Sequence, residues 1–125
     1  MNIPKPYSDA RPWGNELWFT RESGAPSMVK IITVNPKESL SLQYHIKREE
    51  FWFVMSGSGI AQIGTERIPL ETGNTCFVPK QAHHRITAGD ASPLVFLELA
   101  FGEFDENDIV RLEDKYGRVT ANAKQ

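Results

Sequence analysis

An all-β sandwich or barrel is the fold class that these 125 residues predict, and three observations carry it. Short apolar stretches recur at roughly eight- to twelve-residue intervals, with Gly, Pro, Asn and Ser between them. Within several of those stretches polar and apolar side chains alternate with the two-residue period of a strand. Helical spacing is confined to one segment near the C-terminus. The length suits one domain, residues 1–125. With 40% hydrophobic residues and ~65% of the unfolded surface expected to be buried at this size, a core can form without staples.

Taken in order, residues 1–16 carry Pro4, Pro6 and Pro12 and the string Arg11-Pro12-Trp13-Gly14, which predicts an extended arm without a regular ladder. The barrel is expected over 17–101, with strands at 17–20, 28–34, 40–45, 51–55, 59–63, 66–70, 74–78, 84–87 and 94–100. Residues 105–115 predict a short helix: Asp105 is a candidate N-cap, Asp108 follows in the first turn, and Ile109, Val110 and Leu112 are apolar. Gly117 suits its end. Alternation puts Ser41, Gln43 and His45 on one face of their strand, with Leu40, Leu42 and Tyr44 on the other. In the last strand Val95, Leu97, Leu99 and Phe101 share an apolar face, so Glu98 goes with Leu94 and Phe96, lining a cavity or facing solvent.

Composition narrows the function. Fourteen basic against sixteen acidic side chains, a net charge of −2, is far from the basic balance of nucleic-acid binding. The single cysteine, Cys76, excludes an intrachain disulfide framework and a multi-cysteine zinc site, and a reducing cytoplasm is the expected compartment. Asn2-Ile3-Pro4-Lys5-Pro6 after Met1 lacks the basic and apolar character of a targeting segment, so none is expected. The longest apolar run, Leu94 to Phe101, is interrupted by Glu98 and falls far short of the ~20 residues of a membrane span.

Two clusters carry chemistry: Gln43-x-His45-x4-Glu50-x6-Gly57 and Gly73-x5-Pro79-x4-His84. They offer one amide oxygen, two imidazoles and one carboxylate. Gln43 and His45 aim at one point, Glu50 comes from a neighbouring strand, and His84 follows a turn containing Pro79. That is a nitrogen and oxygen set for one divalent ion, zinc first among zinc, iron, manganese, nickel and cobalt. Spacing does not choose among them. His83 reads as a neighbour of the ligand.

These residues resemble the cupins, whose motifs run Gly-x5-His-x-His-x3or4-Glu-x6-Gly and Gly-x5-Pro-x-Gly-x2-His-x3-Asn. Ser41-Leu42-Gln43-Tyr44-His45, with Gln in place of the first His, is similar to the cupin domain of type II mannose-6-phosphate isomerases. Arg11-Pro12-Trp13-Gly14, Val78-Pro79, His84-Arg85 and the run Asp108 to Arg118 resemble the same family, so the likeness covers residues 11 to 118. It implies a jelly-roll barrel and metal ligands at Gln43, His45, Glu50 and His84. It also implies a homodimer, formed through sheet edges and the N-terminal arm. Such domains usually lie fused behind a mannose-1-phosphate guanylyltransferase; this one is expected to stand alone. The family's histidine-rich run reads Ile46-Lys47-Arg48-Glu49 here, and a further His is Phe51. The motif glycines are Lys37 and Gln81, and the Asn is Ala88.

The implied reaction interconverts mannose 6-phosphate and fructose 6-phosphate through an enediol. A divalent ion would polarise the carbonyl and hydroxyl oxygens. Arg11, Lys30 and Arg48 are the expected substrate-binding cations, with Lys47 as a further choice, and Arg85 is expected beside the reaction. Glu98 is the expected base, its pKa raised by desolvation. Alternatives are a non-catalytic cupin that binds a sugar or sugar phosphate, and another metal-dependent isomerase or oxygenase using His45, Glu50 and His84.

Overall fold

In the computed structural model, residues 6–19, 27–103, 105 and 107–120 are described. The alternation read from the sequence becomes antiparallel strands: β1 (Tyr7–Arg11), β2 (Gly14–Trp18), β3 (Ser27–Val34), β4 (Leu42–Tyr44), β5 (Arg48–Ser56), β6 (Gly59–Ile63), β7 (Glu66–Leu70), β8 (Thr75–Val78), β9 (His84–Ala88), β10 (Leu94–Gly102) and β11 (Val110–Glu113). They form a six-stranded sheet, β1-β2-β3-β10-β5-β8, and a five-stranded sheet, β11-β4-β9-β6-β7. Inward side chains of both sheets, including Ile32, Val54, Ile86, Leu94 and Phe96, make the main core with Trp13 from the β1–β2 turn, and Trp18, Met28 and Ala100 make a smaller cluster.

Two expectations near the termini need correction. The arm over 1–16 is largely a ladder: β1 and β2 form a hairpin that pairs with β3, while residues 1–5 lie outside the described residues. Pro12 sits in the two-residue turn, outside the ladder, where its missing N–H leaves no partner unserved. Gly14 then opens β2 where only a glycine fits, because a Cβ there would lie 1.9 Å from the Thr33 carbonyl oxygen. The helix over 105–115 is absent among the described residues; that stretch holds β11 instead. β-Branched Ile109 and Val110 suit a strand, and β4 offers β11 an edge to pair with. The Asp108 carboxylate, which would have served a first helical turn, accepts the backbone N–H groups of Ile46 (2.9 Å) and Lys47 (2.8 Å).

Lys37 and Gln81, the positions where the cupin motifs carry glycine, both have left-handed backbones, with φ of 69° and 67°. The fold keeps the turn and the side chains bear the strain. At Gln81 the turn also ties the loop to the centre, since its N–H donates to the His45 carbonyl oxygen at 2.8 Å. Gln81→Gly is expected to stabilise the chain by about 0.5–1 kcal/mol, the left-handed cost less the entropy of an added glycine. Urea unfolding measures it; a lower midpoint would show that the Gln81 side chain contributes more than its backbone costs.

Strand β10 decides which face is inside. Leu94, Phe96, Glu98 and Ala100 are buried, while Val95, Leu97, Leu99 and Phe101 lie on the outer face. Cross-strand partners extend that outer face: Phe53, Leu97, Ile31 and Leu17 form one row, and Phe77, Phe51, Leu99 and Val29 another. The six-stranded sheet therefore carries these apolar rows on its outer face, while its inner face joins core side chains to the buried charges of Glu16, Lys30, Arg48, Glu50 and Glu98. No helix among the described residues is long and apolar enough to cross a membrane.

Candidate metal centre

Three strands deliver the ligands. His45 follows β4, Glu50 is the third residue of β5, and His84 begins β9; all three are buried. Their donor atoms lie within 4.8 Å of one another. Glu50 sits between the imidazoles, with Oε2 3.3 Å from His45 Nε2 and Oε1 3.6 Å from His84 Nε2. Each imidazole turns Nδ1 to a backbone carbonyl, His45 to Asp108 at 2.6 Å and His84 to Ala82 at 2.9 Å. Nδ1 thus carries the proton, and the Nε2 lone pairs face Glu50. His84 Nε2 and Glu50 Oε2 are buried with no hydrogen-bond partner. Orphaned donors on one imidazole and a carboxylate, with the His45 Nε2 lone pair beside them, are what a divalent ion satisfies, so the residues fit such an ion.

Electrostatics prepare these groups. Burial, then the charges of Arg48 and His84, push the His45 pKa down to about 3, which keeps the ring neutral. Glu50 is fully desolvated, which alone would raise its pKa, yet His84 and Arg48 hold it below the ordinary carboxylate value. Arg48 is the nearest cation, with its guanidinium 3.2 Å from Glu50 Oε2 and 3.2 Å from His45 Nε2. Glu98 behaves oppositely: burial and the neighbouring Glu50 charge raise its pKa, so it holds the proton of the pair. Trp52 Nε1 bridges the two carboxyls, donating to Glu50 Oε1 at 3.2 Å and Glu98 Oε1 at 3.3 Å. Glu98 Oε2 has no hydrogen bond.

A chain of charges leads outward from Glu98. Lys30 Nζ is 3.8 Å from Glu98 Oε2 and 3.4 Å from Glu16 Oε1, and lies 4.0 Å over the Trp18 ring. Glu16 also accepts from Trp18 Nε1 (2.8 Å) and Arg11 (3.3 Å). These side chains and Gln43 line a cavity of about 380 Å³.

The expected site residues divide as follows. His45, Glu50 and His84 come together. Gln43 is the cross-strand partner of His84 and lines the cavity, and its Oε1 accepts from Ser41 Oγ at 2.7 Å. Arg11, Lys30, Arg48 and Glu98 line the same cavity. Arg85 does not: next to inward His84 on β9, it faces outward and pairs with Glu113 at 3.2 Å. Strand alternation excludes it from the catalytic place expected for it. Exposed Lys47 pairs with Asp105 at 3.1 Å, and exposed His83 stacks on Tyr44. Asp108, Arg111, Arg118 and Glu16 also line the cavity and were not anticipated. Asp108, Arg111 and Arg118 lie in the run that resembles the isomerases, but a helical reading of its start obscured which side chains point inward.

The buried ionisable groups make stability depend on pH. For the metal-free chain, unfolded His45 takes up a proton near pH 6.5 and folded His45 only near 3. Its contribution is therefore full above pH 6.5 and is lost on acidification, up to about 5 kcal/mol at ~1.4 kcal/mol per unit. Glu50, whose pKa is lowered, acts in the same direction at more acid pH. Glu98, whose pKa is raised, acts oppositely and loses its contribution as pH rises through its folded value. His45 and Glu98 oppose one another between pH 7 and 5, so the His45 contribution is read in Glu98→Gln, whose urea midpoint is expected to be lower at pH 5 than at pH 7. An equal or higher midpoint would contradict the neutral buried ring.

The comparisons with known proteins agree with this architecture. The sequence profile of the family described as Mannose-6-phosphate isomerase C-terminal matches residues 6–114. The chain is 38% identical over 110 residues to the xanthan biosynthesis protein XanB of Xanthomonas campestris pv. campestris, covering 87% of this chain and 23% of that protein. It is 37% identical over 110 residues to the mannose-1-phosphate guanylyltransferase ManC of Salmonella typhimurium, covering 87% of this chain and 22% of that protein. It thus spans under a quarter of the length of these relatives. A solved cupin-2 domain from Rhodospirillum rubrum superposes with a TM-score of 0.70 at 17% identity, covering 86% of this chain and 81% of that one. The chain belongs to the mannose-6-phosphate isomerase C-terminal family and carries its candidate metal centre inside a cupin barrel.

Proposed function

We propose that this domain is a metal-dependent isomerase interconverting mannose 6-phosphate and fructose 6-phosphate. The observation that carries the reading is the buried His45–Glu50–His84 group beside a cavity that also holds the desolvated carboxyl of Glu98 and several cations. Membership of the isomerase family supports the substrate class. His45, Glu50 and His84, with Gln43 beside them, would hold the ion; zinc suits the nitrogen and oxygen set. A divalent ion there supplies Lewis-acid polarisation of the substrate's carbonyl and hydroxyl oxygens. Glu98 takes the proton from C2 of the aldose and returns it to C1, while a proton passes from O2 to O1 and the carbonyl moves to C2. A raised pKa suits that exchange. Lys30, held between Glu16 and Glu98, keeps the carboxyl in place. Trp13, Trp18 and Ile32 narrow the cavity around the substrate.

A coupled assay of the zinc-, manganese-, cobalt-, nickel- or ferrous-loaded protein with mannose 6-phosphate tests the reading. Turnover that disappears on chelation and returns with metal is the expected result. Binding without turnover for every ion would favour a sugar-phosphate-binding cupin instead, and would overturn the isomerase.

The homodimer is part of the proposal, but through the outer face of the six-stranded sheet rather than through sheet edges and the N-terminal arm. Phe53, Met55, Phe77 and Phe101 are exposed there beside half-buried Phe51, Leu97 and Leu99. Contiguous apolar faces mark interaction surfaces, and a two-fold contact sets one face against its own copy. The face measures roughly 25 Å each way, comparable to the ~800 Å² that each side of a standard interface buries. Sedimentation equilibrium is expected to give twice the 14.1 kDa chain mass, and Phe53→Glu to give the monomer. A monomeric wild type at tens of micromolar would refute the dimer.

A further inference from the structure

Three arginines converge on the cavity wall beyond the metal centre, and they are not equally provided for. Arg118 is gripped by Asp114, through Nε at 2.7 Å and a terminal nitrogen at 3.1 Å. Arg11 pairs with Asp9 at 2.9 Å and Glu16 at 3.3 Å. Arg111 lines the same cavity, but among the described residues its guanidinium has no hydrogen bond or ion pair, and its Nε is buried without a partner. Burial and the charges of Arg118 and Arg11 all work against the charged form of Arg111, yet a guanidinium does not give up its proton.

Local structure holds Arg111 in this position. Its backbone N–H donates to Thr120 Oγ1 at 2.8 Å, and Thr120 N–H donates back to the Arg111 carbonyl at 3.0 Å. Between them the chain reverses at Gly117, whose φ is +79°. Across the sheet, Arg111 is the partner of Gln43, and Gln43 the partner of His84. Arg111 therefore stands two strand spacings, about 10 Å, from the backbone of a metal ligand, on the same inner face.

We infer that Arg111, flanked by Arg11 and Arg118, is the anion subsite of this cavity and takes a phosphate monoester at the end of the substrate remote from its reacting carbons. The inference rests on the proposed sugar-phosphate isomerase and adds which residues hold the phosphate. A dianionic phosphate supplies the acceptors that the guanidinium fork lacks and relieves the repulsion among the three cations. Its distance from the metal centre suits a 6-phosphate, with C1 and C2 at the ligands.

Arg111→Gln in the full, metal-loaded chain tests the subsite. The expected result is a KM for mannose 6-phosphate raised about ten- to a hundredfold with kcat changed only a few-fold, the loss of one charge-assisted contact. Calorimetric binding of inorganic phosphate should be lost. The melting temperature should hold or rise, because an unpaired, half-buried cation is removed; a purely structural Arg111 would lower it and leave phosphate binding intact. An unchanged KM in an active enzyme overturns the subsite while leaving the isomerase standing. If the wild type turns over no sugar phosphate, the isomerase reading fails, and phosphate calorimetry still decides the subsite. Binding lost in the variant upholds it; equal binding, or none by the wild type, overturns it. Should Arg111→Gln not fold, Arg111→Lys makes the same calorimetric comparison: several-fold weaker phosphate binding is expected, and unaltered affinity refutes the role.

Discussion

Replacing Glu50 by glutamine is expected to leave a folded chain that holds no stoichiometric divalent ion and isomerises mannose 6-phosphate at least about a thousandfold more slowly. Glu50 is the only carboxylate among the three gathered ligands and is 1% exposed. Its partners His45 and His84 bring neutral Nε2 lone pairs to an ion, so removing the carboxylate removes the anionic charge from the gathered set. Glutamine keeps the shape, and Trp52 Nε1 can still donate to its oxygen. The buried Arg48 loses the carboxylate it pairs with, which weakens the fold by about 3–5 kcal/mol when a buried pair is broken. Metal analysis after dialysis, run beside circular dichroism at 10 °C, separates lost binding from lost fold. One ion per chain in folded Glu50→Gln would remove Glu50 from the ligand set. His84→Ala should give the same loss by deleting the second orphaned donor.

Glu98→Gln is expected to keep the metal and lose the rate, with kcat falling about 10²–10⁴-fold and KM little changed, the span of general acid–base catalysis. The two carboxyls lie side by side, joined by one indole N–H, yet their environments push their pKa values apart. Glu50 is held ionised for a cation. Glu98, raised by burial and by Glu50, is tuned for proton exchange. The wild-type kcat should rise with pH along a limb above the ordinary carboxylate range, and that limb should vanish in the glutamine variant. A variant within a few-fold of wild-type kcat would show that Glu98 only shapes the cavity.

Much of this was legible because alternation is local. The stretches read as strands from 28–34 through 94–100 correspond to β3 to β10 within a few residues at each end. Ser41, Gln43 and His45 could be placed on one face by counting in twos. What counting in twos does not supply is the partner. Asp105 to Lys115 carries helical cues, but a helix boundary cue is weak beside an open strand edge and an Asp108 carboxylate already used across the chain. Arg85 was expected at the site as a cation in the His84-Arg85 pair that resembles the isomerases, but on a strand the residue after an inward His84 points to the opposite face.

The sequence by itself determined the strand period, the spacing of Gln43, His45, Glu50 and His84, and the departures at Lys37 and Gln81, whose left-handed turns persist without glycine. Only the tertiary structure decided that β10 turns Glu98 inward and its apolar face outward. Only it brought Arg111 and Arg118 from the end of the chain to the cavity that Arg11 lines from the beginning. A pattern within one strand follows from backbone geometry, whereas the choice of face and neighbour follows from how distant segments bury their surface together.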